Sequence, residues 1–385
     1  MKKYIYLFCF FLFSCQSEKI IEKKIATNNF NLTPDFFNLP SDIPKPYIPE
    51  DNTLTKEKID LGRYLFYEKK LSINNKFSCA SCHEQNKAFT DGKKVAEGTL
   101  GHSHSKNSMT LTNVAYNSIL TWGNSNLSKL EIQMLLPMFG ESPPELAMSG
   151  KEEELINRLK NTPLYQEKFK KAFNSENAIT IENITKAIAS FQRVLVSFDS
   201  AYDKFLYKNE INAISESAKR GQRMFYSERL ECFHCHGGFN FSDSTKHEKT
   251  AFEEFNLHNT GLYNLDGKGL YPKNGQGFYE ISRNEKDMGK FRAPTLRNIA
   301  LTSPYMHDGS IASLEEVIEH YAQGGRTIKT GEFAGEGSKN PYKSGFVKGF
   351  SLSKEEKEDL IEFLKSLTDY TFINNKNFSD PFKNE

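Results

Sequence analysis

The chain has 385 residues, enough for two domains of ordinary size, each with its own hydrophobic core. Its 50 basic and 49 acidic residues leave a formal net charge of +1, and no long basic run concentrates charge, which argues against nucleic-acid binding. Aromatic side chains are plentiful, with 31 Phe and 17 Tyr, yet tryptophan occurs once, at Trp122.

Residues 1–14 read as an export signal: Lys2 and Lys3 precede an apolar run from Tyr4 to Phe13, followed by the small Ser14. The run is too short for a permanent membrane span. Leu12–Phe13–Ser14–Cys15 resembles a bacterial lipobox, which makes Cys15 a site of lipidation; an ordinary secretory signal with an incidental Cys15 is the alternative. Residues 15–30, with Lys19, Glu22, Lys23 and Lys24, then form a polar tether. No other segment is apolar for long enough to cross a bilayer, so membrane contact is expected only through the lipid anchor, on the periplasmic side.

A helix is predicted in "KIDLGRYLFYEKKLS", where Ile59, Gly62, Leu65 and Phe66 fall at helical spacing. A short loop leads from it to Cys79–Ala80–Ser81–Cys82–His83. Thr180 can cap a further helix whose apolar stripe is Ile181, Ile184, Ile188, Phe191 and Leu195. In "SESAKRGQRMFYSERLE" the first setting recurs, with Ala218, Gly221, Met224 and Phe225 at the same intervals before Cys232–Phe233–His234–Cys235–His236. In each helix the glycine either admits a close approach or is a tolerated weakness. Residues 261–292, rich in Gly, Asn and charge, read as a loop. Leu314, Val317, Ile318 and Tyr321 share one helical face. Ser353 and Glu356 form a capping box before a last helix carrying Leu360, Ile361, Phe363, Leu364 and Leu367.

The repeated C-x-x-C-H motif has a specific chemistry. Two thiols three positions apart can form thioethers with the two haem vinyl groups, and the adjacent histidine reaches the iron. A four-cysteine zinc site requires the two pairs to converge although they lie about 150 residues apart, and it has no use for a histidine after each. Redox-active disulfides lack a thioredoxin-like setting here. With Cys9 in the signal and Cys15 lipidated, no cysteine is left for a disulfide framework. The cofactors are therefore two covalent c-type haems, on Cys79, Cys82 and His83 and on Cys232, Cys235 and His236. The expected fold is mainly α, with two cytochrome c-like domains at 31–200 and 201–385, one haem in each, long loops at their interface and few strands. The last segment is allowed to pack on the N-terminal domain.

Across about residues 45–370 the chain resembles the bacterial dihaem cytochrome c peroxidase family, which includes the MauG-type enzymes. The segments that carry the likeness include "FSCASCH", "KNSMTLTNVAYN", "PMFGESPPELAM", "RGQRMFYSERLECFHCHGGFNFSD" and "FRAPTLRNIALTSPYMHDGSIASLEEVIEHY". The resemblance implies a peroxide-reactive N-terminal haem, an electron-transfer C-terminal haem and a calcium ion between them. By position it makes Gln133 and Glu145 the groups that hold peroxide and move its proton, with Glu141 the competitor of Glu145. Trp122 matches the tryptophan between the haems, and Asn107, Thr302 and Pro304 match the calcium ligands. Without the resemblance, Gln133 and Glu145 would read as solvated polar residues, and Trp122 and Tyr321 as core.

Two departures separate subfamilies. Where reductively activated peroxidases carry a capping histidine, this chain has Thr99, with His102 and His104 close by. This implies a first haem open to peroxide, unless a shifted loop delivers one of those histidines. Fourteen positions after His307 of the "HDG" motif, where the peroxidases place a methionine ligand, stands Tyr321. A tyrosine favours ferric iron and lowers the potential relative to methionine. The implied activity is a MauG-like oxidation of a protein or other external donor by hydrogen peroxide. The alternatives are an ordinary peroxidase fed by a small c-type cytochrome and a non-enzymatic dihaem electron carrier. Relatives of this kind also make a homodimer an expectation.

Overall fold

A computed structural model describes residues 36–37 and 39–383. The export-signal and lipid-tether expectations for residues 1–30 lie outside the described residues. Among the described residues, seven helices have nine or more residues: α1 (Lys56–Tyr67), α2 (Glu152–Lys160), α3 (Pro163–Phe173), α4 (Ile181–Arg193), α5 (Glu216–Phe225), α6 (Leu314–Ala322) and α7 (Lys354–Ser366). The capping signals act where the sequence places them. Thr180 accepts from the Asn183 amide at 3.1 Å, and Ser353 and Glu356 bond each other's backbone amides. Leu195 and Leu367 stand just beyond α4 and α7 and are buried all the same. The only strands among the described residues are Thr327–Ile328 and Gly335–Glu336, paired antiparallel. The 261–292 segment is mostly irregular, but it contains one helical turn at Tyr279–Ser282 and a 3-10 turn at Glu285–Asp287, a small correction to its reading as loop throughout.

Helices α1 and α4 cross at Gly62, and helices α5 and α7 cross at Gly221. A Cβ on Gly62 would lie 1.9 Å from the Ala187 carbonyl oxygen, and one on Gly221 would lie 2.0 Å from that of Asp359. Both glycines therefore serve close approach, and the approaching body is another helix backbone. Alanine at either position gains up to about 1 kcal/mol in helix propensity, but it must push two helices apart, which costs about 1–3 kcal/mol or more. The second effect wins, so Gly62→Ala and Gly221→Ala should each lower the melting temperature of the haem-loaded protein. Unchanged melting curves would show that the crossings can relax freely.

Each crossing seeds a hydrophobic cluster. The first gathers Leu61, Leu65 and Phe66 with Ile184, Ile188 and Phe191, and it also takes in Phe372 and Phe378 from the end of the chain. The second gathers Ala218 and Phe225 with Phe241, Phe363, Leu364 and Leu367. Burial of side chains this size stabilises by roughly 1.5–3 kcal/mol each, and the packing holds the loops that carry the two cysteine motifs.

Candidate functional site

After each motif the backbone turns back on its histidine. His83 Nδ1 lies 2.8 Å from the Phe89 carbonyl oxygen, and His236 Nδ1 lies 3.2 Å from that of Phe241. Phe89 and Phe241 both adopt positive φ, 61° and 50°, a conformation that non-glycine residues rarely hold. Burial, chiefly, pulls both imidazoles below the ordinary histidine range, so each is neutral. With Nδ1–H donating to a carbonyl, Nε2 is the nitrogen left to ligate a metal. The shared Phe89–Thr90–Asp91 and Phe241–Ser242–Asp243 triplets are a sequence signal of this turn that the motif reading passed over.

Each cysteine pair lines its own cavity, Cys79 and Cys82 with His83, and Cys232 and Cys235 with His236. All four thiols are free of disulfides. The pairs do not converge, which removes the zinc alternative.

The first cavity brings Gln133, Glu145, Trp122 and His104 to the walls around His83. Gln133 ends the short helix Leu130–Gln133. That helix is fixed by Glu131, which receives two hydrogen bonds from the nearly buried Arg193 at 2.7 and 2.9 Å and one from Asn52 at 2.7 Å. Glu145 sits on a loop whose carbonyl accepts from the Thr99 amide at 2.8 Å. Thr99 is thus a buried support behind the loop. The Glu145 side chain is 38% open, and the space it opens to is the cavity it lines. Burial pushes its carboxyl up to about 7. Glu141 is exposed and accepts from Ser149 at 2.7 Å, outside the cavity. Of the two nearby histidines, His102 is exposed, whereas His104 lines the cavity with Nε2 buried, unbonded and 3.8 Å from Glu145.

The second cavity is more apolar. Helix α6 sends Leu314, Val317, Ile318 and Tyr321 into it, so Tyr321 shares a cavity with His236. Burial, and then the neighbouring sulfurs of Cys235 and Cys232, raise the Tyr321 phenol above its ordinary range.

Trp122 and Arg292 line both cavities. The Trp122 indole donates to the Asn107 carbonyl at 2.9 Å, and the Arg292 amide donates to the Trp122 carbonyl at 2.8 Å. Arg292 was not singled out from sequence. It is 3% exposed, and its guanidinium finds only the Thr121 and Ala293 carbonyls at 3.4 Å and the Met109 sulfur at 3.8 Å. A buried cation with the Asp243 charge nearby but no carboxylate bonded to it is costly. The carboxylates of a haem would supply that bond, and with the thiols and the oriented histidines the donor set fits a c-type haem in each cavity. A third, smaller cavity is lined by Asn107, Thr302 and Pro304. Asn107 donates its amide to the Lys93 carbonyl at 2.7 Å, which leaves its side-chain oxygen for a cation.

Paired cysteine–histidine motifs over two cavities, in a mainly helical chain, define a dihaem c-type protein. The chain belongs to the di-haem cytochrome c peroxidase family that includes MauG, and the family model matches residues 56–211. It is 32% identical to methylamine utilization protein MauG of Methylorubrum extorquens, over 86% of this chain and 83% of the relative. To the cytochrome-c peroxidase IdrP1 of Pseudomonas sp. (strain SCT) it is 33% identical, over 85% and 84%. A solved structure of a MauG-like protein associated with microbial copper homeostasis superposes with a TM-score of 0.88 at 45% identity, covering 90% of this chain and 99% of the other. The protein is therefore a di-haem peroxidase-type oxidoreductase, and the non-enzymatic carrier reading falls.

Proposed function

We propose that this enzyme uses hydrogen peroxide at the cavity of His83 and oxidises a protein or other external donor through the cavity of His236, in the MauG manner. Haem iron, when bound, supplies the reduction of peroxide. Glu145 accepts a proton from one peroxide oxygen and returns it to the other, and Gln133 holds the peroxide by hydrogen bonding. Trp122, in the wall common to both cavities, passes oxidising equivalents between them. The observation that carries the reading is Tyr321, which stands in the cavity of His236; the family resemblance matches this position to the methionine ligand of the peroxidases. Further parts of the proposal are one haem in each of two cytochrome c-like domains (31–200 and 201–385), a calcium ion on Asn107, Thr302 and Pro304, export to the periplasm with a lipid at Cys15, and a homodimer.

A second reading is favoured by His104, whose free Nε2 faces the first cavity. If it caps that haem at rest, the enzyme is an ordinary peroxidase that takes electrons from a small c-type cytochrome. Electronic and EPR spectra of the resting protein separate the two. The primary reading expects one high-spin haem beside one low-spin haem without a methionine–iron band; two fully ligated haems would defeat it.

A further inference from the structure

We propose that Glu228, Glu231 and His234 form a site for a divalent transition cation on the surface beside the second haem motif. His234 stands between the two haem-attaching cysteines without lining their cavity, which Glu231 and Phe346 do border. Its ring is held between Phe233 and Phe346, each with its centroid 4.1 Å away, the second stacked at 15°. So oriented, Nε2 lies 2.7 Å from Glu231 Oε2 and 3.8 Å from Glu228 Oε2, and one ligand atom from each residue falls within 4.8 Å of the others.

Glu231 supplies a second sign of a missing ligand, on the oxygen it turns toward His234. Its side chain is 10% exposed, and Oε2 is buried with no hydrogen-bond partner, despite its closeness to the imidazole. The oxygen therefore stands off the N–H axis, where a second ligand of a cation held by Nε2 would stand. Its other oxygen is taken by Lys348 at 3.1 Å. Leaving a buried carboxylate oxygen unpaired costs at least about 1–3 kcal/mol, and a cation bonded to both atoms removes that cost. One imidazole and two carboxylates suit zinc or copper better than the all-oxygen preference of calcium or magnesium. Glu228 is 80% exposed, so water completes the shell. The other candidate metal cluster among the described residues includes Cys235, which the haem claims.

The site does not depend on which donor the enzyme oxidises, so the test uses zinc alone, titrated calorimetrically into the dihaem holoprotein. One zinc per chain is expected, with binding weakened more than tenfold by His234→Gln and by Glu231→Gln. Lys348→Ala, which removes the competing ammonium, should tighten it. X-ray absorption at the zinc edge should find a single imidazole nitrogen at about 2.0–2.1 Å, oxygens, and no sulfur. Haem content is measured on every variant. If one near the motif loses haem, the exposed Glu228→Gln decides, with several-fold weaker binding expected. Absence of saturable binding, or binding unchanged in the haem-loaded variants, overturns the site.

Discussion

Tyr321→Met raises the midpoint potential of the haem on His236 and brings a methionine–iron absorption band into the spectrum. Tyr321 reaches the cavity from the buried face of α6, together with Leu314, Val317 and Ile318, so the helix already aims this position inward. Methionine is unbranched and adaptable and can occupy the space without breaking the helix. A neutral thioether favours ferrous iron, whereas a phenol oxygen favours ferric. Axial ligands move haem potentials over about 0.8 V, so a rise on the order of 100 mV or more is expected. Such a haem stores an electron more readily. Turnover with a reduced small c-type cytochrome should rise, and oxidation of an external protein donor should fall. Spectroelectrochemistry checks the first part, and an unchanged potential would remove Tyr321 from the ligands.

Local signals carried far in this chain. The cysteine motifs, the caps at Thr180 and Ser353, and the inward face ending at Tyr321 depend on residues within a turn or two of one another. What was not legible depends on partners far along the chain. Gly62 and Gly221 announce a close approach, but nothing nearby says that Ala187 and Asp359 are what approaches. Arg292 lies in a polar-looking stretch and would pass for a surface cation, yet the fold buries it in the wall between two cavities. Glu145, preferred to Glu141 on the family resemblance, is held at the cavity wall by another distant contact, the Thr99 amide bonded to its carbonyl. Thr99 itself, read as the place where a capping histidine is missing, is occupied with Asn74 at 2.6 Å, and His104 is the histidine the fold delivers to the cavity.

Glu145→Gln slows the reaction with peroxide by about 10²–10⁴-fold, the usual worth of a positioned proton-transfer group. Glutamine keeps the shape and can still donate a hydrogen bond, so binding survives better than the chemical step. The wild-type pH profile carries the same information. Glu145 must start ionised to accept a proton, and burial pushes its carboxyl up to about 7. The rate should therefore be flat well above that value and fall roughly tenfold per pH unit below it, as the carboxyl becomes protonated. His104 does not reverse this order. Burial, and then Lys106, lower its pKa, so it stays neutral where Glu145 titrates and offers no positive charge to pull the carboxyl down. The glutamine variant should lose the break along with the rate. Exposed Glu141, replaced in the same way, should change neither. Stopped-flow mixing with peroxide across about pH 5–9 measures all three proteins. A Glu145→Gln variant within a few-fold of wild type, with the break still present, would move the proton transfer to another group, and His104 is the nearest candidate.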